Sequence, residues 1–469
     1  MKKPVVISPE PSCFPDDELP EGWKFVTILD ACEVNPPKPS KDFLPADAPV
    51  TFVPMPAVDA DLGAITNPQI KPYLEVRNGF TSFRDGDVIM AKITPCMENG
   101  KAAIIHGMKN GIGFGSTEFH VMRSRGKILP EYLYYYIRQE SFRNEAESHF
   151  TGSVGQKRVP GDFIKQSVIP LPPLAEQLRI IARVEALLIH INVARNQLSR
   201  VPLLMKKFRE AVLAAACSGR LTDGWRVEHP KIESAIFWME KTGIKSINLQ
   251  PDLMIPEYLP NLPESWDYSS VNEIAQFIGS GITPKGGRDV YVPEGIPFIR
   301  SQNVYPEGLR LDDIVFVTEK MHNEMKRTHV SPNDVLLNIT GASIGRCTCV
   351  PEKFFEANVN QHVCIIRVVS DFLPIYLSIF LNSPHGQKQI FDSQGGVTRQ
   401  GLNYSQLRAI ILPLPPLAEQ HEIIRRVGLL FERADAIDRE VVAAGWRCER
   451  LTQAMLGKAF RGELMEKGV

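Results

Sequence analysis

The chain has 469 residues, 43% of them hydrophobic, which is enough for large cores and excludes wholesale disorder. Lys and Arg number 53 against 54 Asp and Glu, a net charge of −1 that weighs against a protein binding nucleic acid through bulk charge alone. No run of 18 apolar residues marks a membrane span.

Met1-Lys2-Lys3 leads only into a short apolar stretch broken by Pro9 and Pro11, which is not the pattern of a signal peptide. Residues 1–18 are Pro-rich, end in Asp16-Asp17-Glu18, and read as a loosely held lead-in. From Leu19 to Ile169, strand-like runs such as 87–93 and 119–122 alternate with Gly, Pro and Asn turns. The stretch 131–140 reads as one helix, so the segment is a mixed α/β domain.

Pro170-Leu171-Pro172-Pro173-Leu174-Ala175-Glu176-Gln177 then opens a long apolar-periodic helix. Leu174, Ile181, Val184, Leu188 and Ile191 recur at three- and four-residue steps, and Leu204, Phe208 and Val212 resume the stripe. Gly219 ends it. Between Leu174 and Thr222 there are eight basic residues and three acidic ones. Residues 223–261, with Trp225, Trp238 and several prolines, read as a partly ordered linker. A second mixed domain covers 262–412, and Asp334–Ile339 parallels Asp87–Lys92 in it.

The eight-residue motif then returns, unchanged, as 413–420, 243 positions after its first appearance. The same offset places Arg183 on Arg426, Ala211 on Ala454, Leu213 on Leu456 and Gly219 on Gly462. It also places Leu19-Pro20-Glu21-Gly22-Trp23 on Leu262-Pro263-Glu264-Ser265-Trp266. A period this long is an internal duplication and not a solenoid repeat. Pro202 falls on Gly445, two helix breakers at one position, which predicts a shared joint.

The expected layout is residues 1–173 as one α/β domain, 174–222 as a first helix, 223–261 as a linker, 262–416 as a second α/β domain, and 417–469 as a second helix. Each helix of about 45 residues would span roughly 65–70 Å. Its apolar stripe must be buried, and its twin is the available partner. The linker length favours antiparallel pairing, with pseudo-twofold symmetry and one domain at each end.

On these residues the chain resembles the specificity subunits of type I restriction–modification enzymes over essentially its whole length. The doubled motif with its Gly-x-Leu ending carries the resemblance, together with residues 94–101 and 116–120 in the first domain and 295–300, 341–345 and 360–361 in the second. The resemblance implies two target-recognition domains, each reading half of a split, asymmetric DNA site. It implies two helices that space the halves and dock two methyltransferase subunits, which can recruit restriction subunits. The methyl group would go to adenine, with S-adenosylmethionine held by the partner and no cofactor on this chain.

Base reading needs paired donors and acceptors. In the first domain the candidates are Lys92, Thr94, Asn99, Lys101, Ser116 and Thr117, with Gln156, Lys157 and Arg158 in a Gly-bounded loop. In the second they are Arg300, Ser301, Gln302 and Asn303, then Asn338, Thr340, Ser343 and Arg346. Thr398, Arg399 and Gln400 occupy the place of the 156–158 loop. For each, the alternative is a solvated loop or a turn-holding polar group, as for Asn99 and Asn360.

Residues for catalysis are not visible. Asn35-Pro36-Pro37 is followed by Lys38, where an amino-group methyltransferase needs an aromatic to stack on the flipped base. Gly111–Gly115 reads as a turn before a strand, with no helix after it to cradle phosphate. The eight Cys are irregularly spaced and form no zinc pattern, as expected for reduced cytoplasmic thiols. The rival readings are a single-chain methyltransferase and a coiled-coil adaptor that binds only proteins. The missing motif opposes the first, and the Arg, Gln and Asn loops of strand-rich domains oppose the second.

Overall fold

In a computed structural model of the chain, Val88–Ala91 is buried throughout because each face of the strand meets a different core. Val88 and Met90 pack with the helices of the domain, whereas Ile89 and Ala91 pack towards a second sheet. The equivalent strand Val335–Asn338 does the same, with Val335 and Leu337 on one side and Leu336 on the other. The structure describes residues 19–60, 63–153, 155–247, 255–282, 284, 286–354, 356–393 and 401–464.

The chain divides into two compact units. One joins the residues up to Ser199 with those from Val442 onward, and the other is Arg200–Val441. In the first unit, one sheet has the order Cys32–Val34, Phe119–Ser124, Val88–Ala91, Ala102–Ile104. Its second sheet runs Gln69–Pro72, Pro49–Val53, Gly113–Gly115, Thr81–Phe83, with the middle pair parallel. In the second unit the corresponding orders are Ala275–Ser280, Val363–Val368, Val335–Asn338, Cys347–Cys349, and Val315–Val317, Ile296–Ile299, Ala357–Val359, His329–Val330. Again the middle pair of the second sheet is parallel. Each unit adds one small hairpin, Val58–Asp59 with Ala64–Ile65 and Val304–Tyr305 with Gly308–Leu309. The duplication read from the sequence is therefore repeated strand for strand.

The first proline and the glutamine of the doubled motif have the same structural partners in both copies. Tyr132 Oη donates to the Pro170 carbonyl at 2.8 Å, and Tyr376 Oη to the Pro413 carbonyl at 2.9 Å. Gln177 is fully buried, accepts from the Leu129 N–H at 2.8 Å, and donates to the carbonyls of Lys127 and Pro172. Gln420 accepts from Leu373 N–H at 3.1 Å and donates to the Pro415 carbonyl at 3.0 Å. Each glutamine thus satisfies buried backbone groups at a helix start that would otherwise be orphaned.

The helices pair antiparallel in both units. In the first unit, Ile180, Ile181 and Val184 share a core with Met455, Leu456, Ala459 and Phe460, and Arg195 meets Glu449 at 2.5 Å. Phe460 lies against Tyr132 and Tyr136, ring centroids 4.8 and 5.3 Å away. In the second unit, Val212, Leu213, Ala216 and Cys217 join a core with Ile423 and Val427, and Arg209 bonds to Asp435 at 2.6 Å and Asp438 at 2.9 Å. Each α/β domain is therefore completed by the far end of the helix that follows the other domain.

Four expectations are corrected. The first helix is two, Leu174–Leu198 and Val201–Cys217, with Pro202 in the opening turn of the second; the other helix, Leu417–Phe460, runs unbroken through Gly445. Glycine only weakens a helix, by about 1 kcal/mol, whereas proline lacks the N–H and clashes with the preceding turn. The apolar stripe is not wholly buried: Leu174, Leu204 and Phe208 are 45%, 56% and 36% exposed. The junction is also more than a linker. Asp223–Glu228 and Ala235–Thr242 are helical, and Ala235, Trp238 and Met239 are buried in the second unit's core. The single helix expected over 131–140 is Pro130–Ile137, with a second from Glu140 to Ser148.

Candidate nucleic-acid interface

In the first domain, backbone hydrogen bonds stitch three loops together at one end of the two middle strands, Val88–Ala91 and Phe119–Ser124. Lys92 N–H donates to Glu118 at 2.9 Å, Val159 N–H to Lys92 at 2.9 Å, and Thr94 N–H to Lys157 at 3.0 Å. Lys92, Thr94, Ser116, Thr117 and the 156–158 loop are thus brought together. Lys92 and Thr117 line a shallow cleft of about 230 Å³ with Lys38, Thr81, Ser82 and His120. His120 holds this cleft's floor: its Nε2 lies 2.9 Å from the Val159 carbonyl and its Nδ1 3.1 Å from Asn35 Nδ2. That arrangement assigns the proton to Nε2, and burial pushes the imidazole pKa below its ordinary value.

The side chains differ in what they have left to offer. Gln156 and Lys157 are exposed, as are Thr117 and Asn99. Arg158 is committed: Nε and Nη2 clasp the Glu118 carboxylate at 2.8 and 2.9 Å, and Nη1 donates to the Gln156 carbonyl at 2.9 Å. The same clasp holds the Glu118 carboxyl below the usual range. Lys101 Nζ donates to the Met55 carbonyl at 3.2 Å, Thr94 Oγ1 donates to Glu98, and Ser116 Oγ accepts from the Glu118 N–H at 3.2 Å. Asn35, the start of the Asn-Pro-Pro-Lys stretch, sits at φ 53° and accepts from the Val121 N–H, so this stretch is a turn pinned to a strand.

In the second domain the equivalent loops converge in the same way. Ile339 N–H donates to His362, Leu402 N–H to Ile339, and Asn360 N–H to Ile299, at 2.8–3.0 Å. Thr340 pairs with Gly401 across a bridge, and its hydroxyl lies 2.5 Å from His362 Nδ1. Thr398, Arg399 and Gln400, immediately before Gly401, lie outside the described residues. Asn360 holds a turn, accepting from His362 N–H at 3.1 Å.

Asn303 and Asn338 differ from the other candidates. Both are fully buried. Asn303 Nδ2 donates to the Arg310 carbonyl and to Asp313 Oδ1, and Asn338 Nδ2 donates to the Ser301 carbonyl at 2.8 Å and Ser343 Oγ at 3.1 Å. In these positions their amide nitrogens tie the loops together. Arg300 is largely spent as well, donating to the Asp313 carbonyl at 2.7 Å, while Gln302 donates to the Asp313 carboxylate. Asp313, which binds three of the candidates, was not singled out from the sequence; its only signal was an acidic residue a short chain distance after them. Ser301 and Ser343 are half-buried, and Arg346 lies over the Tyr305 ring with its guanidinium carbon 4.6 Å from the centroid.

Among the described residues, no group of three or more His, Cys, Asp or Glu side chains could hold a metal ion. The described cysteines are free, and burial pushes the Cys217 and Cys364 thiols up to about 12.

Comparison with known proteins agrees with this geometry. The chain is 33% identical to the Type I restriction enzyme EcoBI specificity subunit of Escherichia coli, over 67% of this chain and 62% of that one. It is 27% identical to the EcoAI specificity subunit of Escherichia coli, over 90% of this chain and 79% of that one. Among solved structures, a chain from the assembly of a type I R-M system superposes with a TM-score of 0.71 at 22% identity, over 95% of this chain and all of that one. The sequence profile of the Methylase_S family, the type I restriction modification DNA specificity domain, matches residues 20–201 and again residues 263–438. The chain belongs to that family and carries its domain twice.

Proposed function

We propose that the chain is the non-catalytic recognition subunit of a type I restriction–modification complex. Each domain reads one half of a bipartite, asymmetric DNA site. The observation that carries this reading is the repeated convergence of the same loops, 92–94 with 116–118 and 156–158, and 338–346 with 360–362 and 401, at one end of the two middle strands of a sheet in each domain. The helices space the half-sites and dock two methyltransferase subunits that modify adenine with their own S-adenosylmethionine. Restriction subunits join through them. Apolar side chains left exposed on the helices suit such docking: Leu178, Ile189 and Val193 in the first unit are 59%, 62% and 54% exposed, and Leu203 and Leu204 in the second 59% and 56%. No helix among the described residues is long and apolar enough to cross a membrane; on this reading the complex works where the cell's DNA is, in the cytoplasm.

The test incubates the purified chain with duplex DNA and labelled S-adenosylmethionine, with and without its methyltransferase partner. Label is expected only with the partner, and sequencing of the methylated DNA should show two short half-sites flanking a fixed gap. Incorporation by the chain alone would overturn the reading. A second expectation concerns the gap. Four residues inserted into both helices, near Gln197 and near Glu440, add about 6 Å of helix, at most about two base pairs at roughly 3.4 Å each. The half-site letters should persist while the gap widens; changed letters with an unchanged gap would show that the helices are not the spacer.

A further inference from the structure

We propose that the Tyr305 ring of the second domain is a platform that holds Arg346 flat and aims its guanidinium at a guanine in the second half-site. The inference rests on the reading of this chain as a DNA-recognition subunit and adds which base one side chain reads and what positions it.

The small hairpin Val304–Tyr305 and Gly308–Leu309 follows directly on the turn Ser301–Asn303. Its tyrosine is half-buried, and two guanidinium groups lie over it, Arg310 at 3.6 Å and Arg346 at 4.6 Å from the ring centroid. Arg346 reaches the ring from the loop after strand Val335–Asn338, whose backbone is tied back by Gly345 N–H to the Asn338 carbonyl and Arg346 N–H to the Ser343 carbonyl. The hairpin, the turn and this loop therefore form one surface with Thr340 and Ser343.

On that surface Arg346 differs from the other candidate cations. Arg300 is occupied by Asp313, and in the first domain Arg158 is occupied by Glu118. Among the described residues, the Arg346 guanidinium has no carboxylate or carbonyl partner, only the ring beneath it. Stacking fixes the plane of a guanidinium by contact with its face and leaves the N–H groups at its edge free. A planar pair of donors with no acceptor matches guanine, which offers O6 and N7 in the major groove. Adenine offers N7 beside an amino donor, which would oppose a guanidinium N–H. Arg310 is more exposed, 59% at its side chain, and faces Glu307 at 4.0 Å, which suits a phosphate neighbour better than a base.

The first domain shows the same place without the device. Its hairpin has Asp59 where the second has Tyr305, and Thr66 where the second has Arg310. The residue preceding strand Ala102–Ile104, equivalent to Arg346 before Cys347–Cys349, is Lys101, and its ammonium is bound to the Met55 carbonyl. One fold thus carries a guanidinium lying over a ring in one copy and a tethered lysine in the other, which is a physical basis for two half-sites with different letters.

The test sequences methylated DNA from cells expressing the full chain with its methyltransferase partner. The variants are Tyr305→Ala, Tyr305→Phe and Arg346→Lys. The unaltered chain should methylate a site whose second half contains a G·C pair. Tyr305→Ala and Arg346→Lys should lose about tenfold or more of the discrimination at that one pair and leave the first half-site intact. Tyr305→Phe keeps the ring and should keep the letters, which separates the platform from a general loss of folding. The proposal is overturned by a second half-site lacking G·C, by unchanged letters in Arg346→Lys, or by uniform weakening at all positions, the signature of a phosphate contact. If the unaltered complex methylates no bipartite site, the recognition reading itself fails, an outcome distinct from a variant that leaves a real site unchanged.

Discussion

A fragment of residues 1–222 should dimerise and, with methyltransferase, modify a palindrome made of the first half-site and its inverted complement. In the intact chain, the socket in the first unit around Tyr132, Ile180 and Val184 is filled by Met455, Leu456, Ala459 and Phe460. Those four positions correspond, at the offset of 243, to Val212, Leu213, Ala216 and Cys217, which the fragment retains. A second copy can therefore fill the socket of the first, and two identical chains doing so pair with true twofold symmetry.

The substitute is imperfect in two calculable ways. Cys217 in place of Phe460 leaves a void under Tyr132 and Tyr136, a loss approaching the about 3–5 kcal/mol typical of Phe→Ala in a core, at each of the two sockets. The charges also turn from complementary to repulsive. Arg195 would meet Lys206 where it now meets Glu449, and Arg209 would meet Arg195 where it now meets Asp438. The dimer should be weak at low salt and tighten as salt screens the like charges. Cys217→Phe together with Lys206→Glu should restore much of the affinity. Light scattering and sequencing of methylated DNA measure both parts. A monomer at high salt and micromolar concentration, or a dimer that methylates an asymmetric site, contradicts the prediction.

Arg226→Ala should destabilise the second unit by about 3–5 kcal/mol, because it strands a charge. Glu419, in the second copy of the repeated motif, is fully buried and accepts from Trp266 Nε1 at 2.7 Å, from Thr222 Oγ1 at 2.6 Å, and from Arg226. Removing the guanidinium leaves the carboxylate with two neutral donors and no counter-charge. For a unit of this size the expected fall in Tm is on the order of 10 °C. The double variant Arg226→Met, Glu419→Met should recover most of it, since a buried ion pair is often replaceable by apolar groups of similar volume. A calorimetric scan in which the single variant melts within about 1 °C of the parent would refute the assignment. The first unit shows what this clamp is for: there Glu176 is only half-buried, and the Trp23 indole N–H is buried with no hydrogen-bond partner among the described residues.

The duplication, the helix starts and the strand-rich character of both domains were legible in the chain itself, since each depends on local order. Pro172-Pro173 before Leu174, a 243-residue offset held without gaps through the helices, and turns bounding short apolar runs survive whatever the tertiary contacts are. The strands that carry Lys92 and Thr117 were legible as well, but the meeting of their loops with Gln156 and Lys157 is a product of the folded chain. Only the folded chain decided which of the polar residues remain available. Asn303 and Asn338 look no different in sequence from the other candidates, yet both are fully buried. Arg158 and Arg300 acquire carboxylate partners 40 and 13 residues away, and Arg346 finds a ring 41 residues earlier in the chain. Pairings at such separations are set by which strands lie side by side, and a sequence pattern with a period of two or 3.6 residues does not encode that neighbour. The same limit applies to Pro202 and Gly445. Both are helix breakers by intrinsic preference, but the helix Leu417–Phe460 runs through the glycine because packing outweighs about 1 kcal/mol, a sum no local reading can make.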